Sequence, residues 1–159
     1  MAATTSEFKR EIMLKLANDP KIFELIDNKN IDPENPDDLI YVNIFPYLKV
    51  NYTIQEVGTF IGVKLDFPVI NNNEIWKNAE MTISIICANG AMKAKGGLSR
   101  TDLISERITE LLQWNGDYGC RIELISEKEN PVDENFYYRK MVFGFFAPNG
   151  MKNGVKVNV

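Results

Sequence analysis

Met81-Thr-Ile-Ser-Ile-Ile-Cys87 runs into the loop Ala88-Asn-Gly-Ala-Met-Lys-Ala-Lys-Gly-Gly97 and then into a segment from Ser99 to Gln113. Met81, Ile83, Ile85 and Cys87 occupy alternate positions, the period of a strand with one face in a core. Beyond the loop the period changes: Leu103, Ile104, Ile108, Leu111 and Leu112 line one helical face, while Asp102, Glu106, Arg107 and Glu110 fall elsewhere. Ser99 and Asp102 have the spacing of a capping box, with aspartate in place of glutamate, and Asn115-Gly116 marks the helix end. A strand joined to an amphipathic helix in this way predicts a helix laid on a sheet. The flexible loop between them, with its glycines and lysines, is placed to reach a partner.

Upstream, Thr59 to Val69 alternates Ile61, Val63, Leu65, Phe67 and Val69 with Gly62, Lys64, Asp66 and Pro68. It predicts a strand with one core face and one polar face. Asn71-Asn-Asn73 turns the chain back through Trp76 and Ala79, so the two strands form an antiparallel hairpin with a long loop. An earlier strand is expected over Leu39–Phe45 and ends at Pro46, which cannot donate to a ladder. Asp27 to Asp38, with Pro33 and Pro36, connects it to a helical N-terminus. There Ser6 is positioned to cap a helix through Phe8, Ile12 and Leu16, with Glu7 in its first turn. Asp19 and Pro20 start a second, shorter helix bearing Ile22, Phe23 and Ile26.

Downstream, strands are expected over Arg121–Glu127 and Phe136–Ala147, joined by a charged turn with Pro131. The second is almost continuously apolar through Tyr138, Met141, Val142, Phe143, Phe145 and Phe146, as in a strand covered on both faces. The expected fold class is α+β: a mixed, mostly antiparallel sheet of about five strands packed by one long helix, with an N-terminal helical segment. Residues 1–147 read as one domain and 148–159 as a C-terminal tail or arm between subunits. In an extended tail Val155, Val157 and Val159 point the same way, which suits addition to a neighbour's sheet edge. A frayed terminus has the same composition.

The 159 residues carry a net charge of -4, with 45% hydrophobic and 25% charged residues. That is an ordinary globular balance, and its acidity argues against a surface built to grip phosphate backbones. No apolar run reaches the ~20 residues of a membrane span. No signal peptide is recognisable in Met1–Arg10, so a cytosolic location is expected. The absence of histidine removes the commonest general base and the commonest transition-metal ligand. Cys87 and Cys120 are too few for a disulfide scaffold and read as small core thiols.

The loop Gly90 to Gly97 combines glycines with Lys93 and Lys95 before a helix, as phosphate-cradling loops do. It lacks the lysine that such a loop places at the helix entry, because Gly96-Gly97-Leu98-Ser99 stands there. A plain linker and a protein-contact loop remain. The carboxylates, such as Asp37-Asp38 and Asp133-Glu134, sit on expected turns, where solvation gives no reason for a catalytic pair. Ser84, Ser99 and Ser105 have no histidine to activate them. Phe45, Tyr47 and Tyr52 have only Lys49 nearby, which favours core packing or a subunit contact over stacking on bases. No catalytic residue, cofactor site or metal site is expected.

The order of elements resembles the tail terminator, or tail-to-head joining, proteins of long-tailed bacteriophages. The stretches that carry the resemblance are the Lys9-Arg-Glu-Ile-Met-Leu helix, Ile44-Phe-Pro-Tyr-Leu48, and Met81–Cys87 leading into the Arg100–Leu112 helix. The resemblance implies a structural virion protein located in the tail or neck, and in the host cytoplasm during assembly. It implies a homo-oligomer, a hexameric ring, that contacts the tail tube protein and the head-completion or connector protein, with DNA passing through unbound and no membrane involved. By analogy, Met92, Lys93, Lys95 and Arg100 are candidates for partner contact, and helix 99–113 with Val155, Val157 and Val159 for contact between subunits. Another neck or head-completion protein, a small ligand-binding domain or enzyme, and a nucleic-acid binder are the alternatives.

Overall fold

A computed structural model describes residues 4–48, 58–68, 76–115 and 121–148. Five strands form one sheet: β1 (Ile44–Phe45), β2 (Thr59–Asp66), β3 (Trp76–Ala88), β4 (Glu123–Pro131) and β5 (Phe136–Pro148), in the order β1-β2-β3-β5-β4. β1 runs parallel to β2, and every other pairing is antiparallel. The sheet is therefore mixed and mostly antiparallel, as the sequence pattern predicts. The hairpin register pairs Ile61 with Ile85 and Val63 with Ile83, so the alternating residues of both strands share a face.

That face is covered by three helices, α1 (Thr5–Ala17), α2 (Pro20–Ile26) and α3 (Arg100–Leu112). Phe8, Ile12 and Leu16 of α1 and Ile104, Ile108 and Leu112 of α3 are buried with Ile61, Val63, Met81, Ile83, Ile85, Met141 and Phe143 in one core. Phe8 stacks on Phe145 with ring centroids 4.9 Å apart. The helical cover is thus shared between α3, the long helix expected on the sheet, and the N-terminal helical segment, whose α1 is as long as α3.

Local chemistry places several boundaries differently from the sequence reading. Thr4, not Ser6, caps α1: its hydroxyl accepts from the Glu7 backbone while the Glu7 carboxylate accepts from the Thr4 N–H, a complete capping box. Ser99 does precede α3, but its hydroxyl makes no cap bond and turns to Thr101 and Met92 instead. The expected partner, Asp102, is drawn to Arg139 on β5, 2.8 Å away. The first strand shrinks to two residues because Pro36–Leu39 forms a 3-10 turn and Tyr41 takes a left-handed backbone, φ 64°. α3 ends on Gln113, with Trp114 rather than glycine in the left-handed position. β4 extends past Glu127 to Pro131 through polar residues, because Arg139 bonds Glu127 and Glu129 across the strand pair.

The second face of the sheet is not uniformly polar, nor is β5 buried on both sides. Towards β1, Phe45, Phe60, Ile86, Ala88 and Phe136 make a smaller cluster. There the chain after β1 crosses β2 so closely that a Cβ on Gly62 would lie 2.6 Å from the Tyr47 carbonyl oxygen. At the other end of β5, Phe146 is exposed. A bulge after Leu124 lays Ile125, also exposed, against Gly144. Val69, the expected Asn71–Asn73 turn, Cys120 and the tail fall outside the described residues.

A buried tether joins α2 to α3. Asp19 caps α2 by accepting from Ile22 N–H and receives the Arg107 guanidinium in a two-point contact of 2.6 and 3.0 Å. Burial pushes the Asp19 carboxyl up, but the hydrogen bonds from Arg107 and Ile22 and the charges of Arg107 and Lys21 outweigh it and hold the group below the ordinary carboxylate range.

Two stability measurements follow from these contacts. Gly62→Ala forces the Tyr47 backbone off the sheet and is expected to lose about 1–3 kcal/mol in urea unfolding. For Asp19, the depressed folded value means that its contribution is full above the unfolded pKa of ~3.9 and lost as pH falls through the lower folded value. Asp19→Asn keeps a cap but not the charge. It is expected to cost about 1.5–3 kcal/mol at pH 7, nearer the lower figure because Arg107 is partly hydrated, and to flatten the acid limb of stability against pH.

Candidate interaction surface

The loop between β3 and α3 is ordered by its own hydrogen bonds rather than being an open linker. Ala94 N–H donates to Leu98 O and Arg100 N–H to Met92 O, both at 2.8 Å, so the chain doubles back as a small hairpin. Lys93 and Ser99 face each other across it. Gly96 and Gly97 form its tip with φ of 79° and 76°, a conformation that side chains resist. This is why the glycines stand there, independently of any phosphate.

Arg100 secures the hairpin to the body. Its Nε donates to the Ala91 carbonyl at 2.7 Å and its Nη1 to the Leu25 carbonyl at the end of α2. Met92 is half-buried beneath, its sulfur accepting from the Ser99 and Thr101 hydroxyls. Of the four loop residues singled out in the sequence, Met92 and Arg100 thus hold the hairpin, while Lys93 and Lys95 are exposed. Leu98, exposed beside them, carries no sequence signal beyond its apolarity. The structure brings these five residues together at one end of the α3–β3 layer. Val155, Val157 and Val159 lie outside the described residues.

The outer face of α3 is charged. Arg107 Nη1 bonds Glu110 at 2.7 Å, and Asp102, Glu127 and Glu129 converge on Arg139 at 2.6–2.9 Å. These pairs are local structure: Arg139 ties the first turn of α3 to β4 and β5. Among the described residues no group of three or more carboxylates and thiols is arranged to hold a metal ion. No helix among them is long and apolar enough to cross a membrane. Cys87 is buried between Thr59 and the Ala88 carbonyl, and burial pushes its thiol up. Phe45 is buried and only Tyr41 and Tyr47 around it are exposed, so the aromatic group is packing with an exposed rim. Tyr52 lies outside the described residues.

Loss of the Arg100 clamp is expected to loosen the hairpin without unfolding the sheet. Arg100→Ala should lower stability by about 1–2 kcal/mol. Amide hydrogen exchange should accelerate at Ala94 and Arg100, with the β3–β5 ladder unchanged.

Comparison with curated proteins finds no match. Residues 19–145, from the α2 cap into β5, match the YomW family. The match takes in β1 to β4, most of β5, the loop and α3, and the chain therefore belongs to the YomW family, a phage-derived family, and is a phage-related protein.

Proposed function

We propose that this protein is a ring-forming tail terminator that caps a phage tail tube and joins the tail to the head connector. Membership of a phage-derived family supports the phage setting. The observation that carries the finer reading is the β3–α3 hairpin, a rigidly held projection presenting two exposed lysines and an exposed leucine. A fixed projection of this kind suits docking to an adjacent ring, since little order has to be gained on contact.

The role is geometric. A ring that binds the growing tube through one face and offers a different opposite face stops addition of further tube subunits. Lys93 and Lys95 meet the adjacent ring, and the outer face of α3 and the tail valines Val155, Val157 and Val159 meet neighbouring subunits. The net charge of -4 leaves DNA free to pass through the lumen.

Negative-stain imaging of purified protein, alone and with tail tubes, is expected to show six-membered rings. Lys93→Glu with Lys95→Glu is expected to leave the rings intact and abolish tail–head joining in an assembly assay. A strictly monomeric protein in both settings overturns the proposal.

A further inference from the structure

The β3–α3 hairpin does not stand alone at its end of the sheet. Ala88, the last residue of β3, pairs with Phe136, the first of β5, so the loop that follows β3 and the turn that precedes β5 emerge side by side. Asn89 joins them. Its backbone N–H donates to the Asn135 carbonyl and its Nδ2 to the Glu134 carbonyl, each at 2.8 Å. The turn is also fixed from within. The Asp133 carboxylate accepts from the backbone N–H of Asn135 at 2.8 Å and of Phe136 at 3.0 Å, and Val132 N–H donates to the Phe136 carbonyl at 2.9 Å. With Arg100 clamping the other side of the hairpin, loop and turn are held as one unit.

Charge is laid out unevenly on this end. Lys93, Lys95 and Glu134 are exposed, and none of them makes an ion pair among the described residues. Leu98, 56% exposed, stands beside the lysines. Phosphate backbones are gripped by clustered cations, whereas here Asp133 and Glu134 adjoin the lysines in a chain of net charge -4. Leu98 points the same way, because an exposed leucine gains from apolar side chains and not from phosphate. A protein surface therefore suits this end better than a nucleic acid.

We infer that the β4–β5 turn belongs to the docking face of the hairpin, and that the two together fit a protein surface presenting carboxylates to Lys93 and Lys95, an apolar depression to Leu98 and a basic side chain to Glu134. Asn89 is the positioning residue that keeps the two halves in register. A face bearing both signs favours one orientation of its partner, since the reversed orientation sets like charges together. Repetition of this small face around a closed ring strengthens it, because the later contacts form at high effective concentration. The face rests on the proposed role of the hairpin in tail–head joining, to which the turn adds an acidic half.

Joining in vitro tests it, with heads and tails purified without this protein, the full chain added back, and circular dichroism confirming the fold of each variant. At low ionic strength Glu134→Lys is expected to slow joining roughly tenfold, Glu134→Gln by a smaller factor and Glu134→Asp hardly at all, with the differences shrinking as salt rises. Light scattering is expected to show intact rings throughout. Equal joining by all three Glu134 variants, while Lys93→Glu with Lys95→Glu fails, overturns the composite face and leaves the proposed function standing. Rings that dissociate in Glu134→Lys place Glu134 between subunits and likewise overturn the face alone. Joining that persists with both lysines reversed, or that the unaltered chain does not support, overturns both. A DNA mobility shift that Glu134→Lys strengthens and the reversed lysines abolish assigns the face to nucleic acid and overturns the protein partner.

Discussion

β3 is the constraint on which the rest of the structure depends. It is hydrogen-bonded along its length by β5 and over its inner part by β2, and Met81, Ile83, Ile85 and Cys87 are fully buried on one side. A strand in that position must have an apolar layer against it, because its backbone is already satisfied and its side chains have no water to face. α1 and α3 supply the layer. They are then fixed to one another through α2 by the Asp19–Arg107 contact and to the sheet by Arg139.

With its helical face closed, the molecule exposes the β3–α3 hairpin and part of its second face. The β3–α3 hairpin leaves the sheet where β3 ends and returns into α3, so the clamp of Arg100 on Ala91 and Leu25 passes the rigidity of the core to exposed Lys93 and Lys95. On the second face, the close crossing over Gly62 fills one corner and leaves the opposite corner, at Phe146 and Ile125, exposed. The groove beside them is open, with Ile125, Phe145 and Phe146 among its lining side chains.

Period carried the elements that could be read in advance. The β2–β3 hairpin and α3 were legible because their apolar residues repeat at two and at 3.6 positions over long segments. Asp19 with Pro20 was legible as a helix start because the two residues act locally. Elements set by contacts distant in sequence were not. The polar end of β4 is a strand because Arg139 reaches Glu127 and Glu129, and Asp102 leaves its capping role for the same arginine. Of the candidate contact residues, sequence identified the loop and its lysines. It missed Leu98 and the exposed pair Ile125 and Phe146, whose apolarity reads as core until their exposure among the described residues is seen.

The sequence by itself determined the α+β class, the central hairpin, the helix laid over it and the lack of histidine chemistry, since these follow from residue spacing and composition. Only the tertiary structure decided which apolar face stays open, which arginines are spent on internal carbonyls and carboxylates, and which aromatics are held outward. Each of these depends on residues tens of positions apart meeting in space, and a linear pattern carries no record of which face its neighbours will cover.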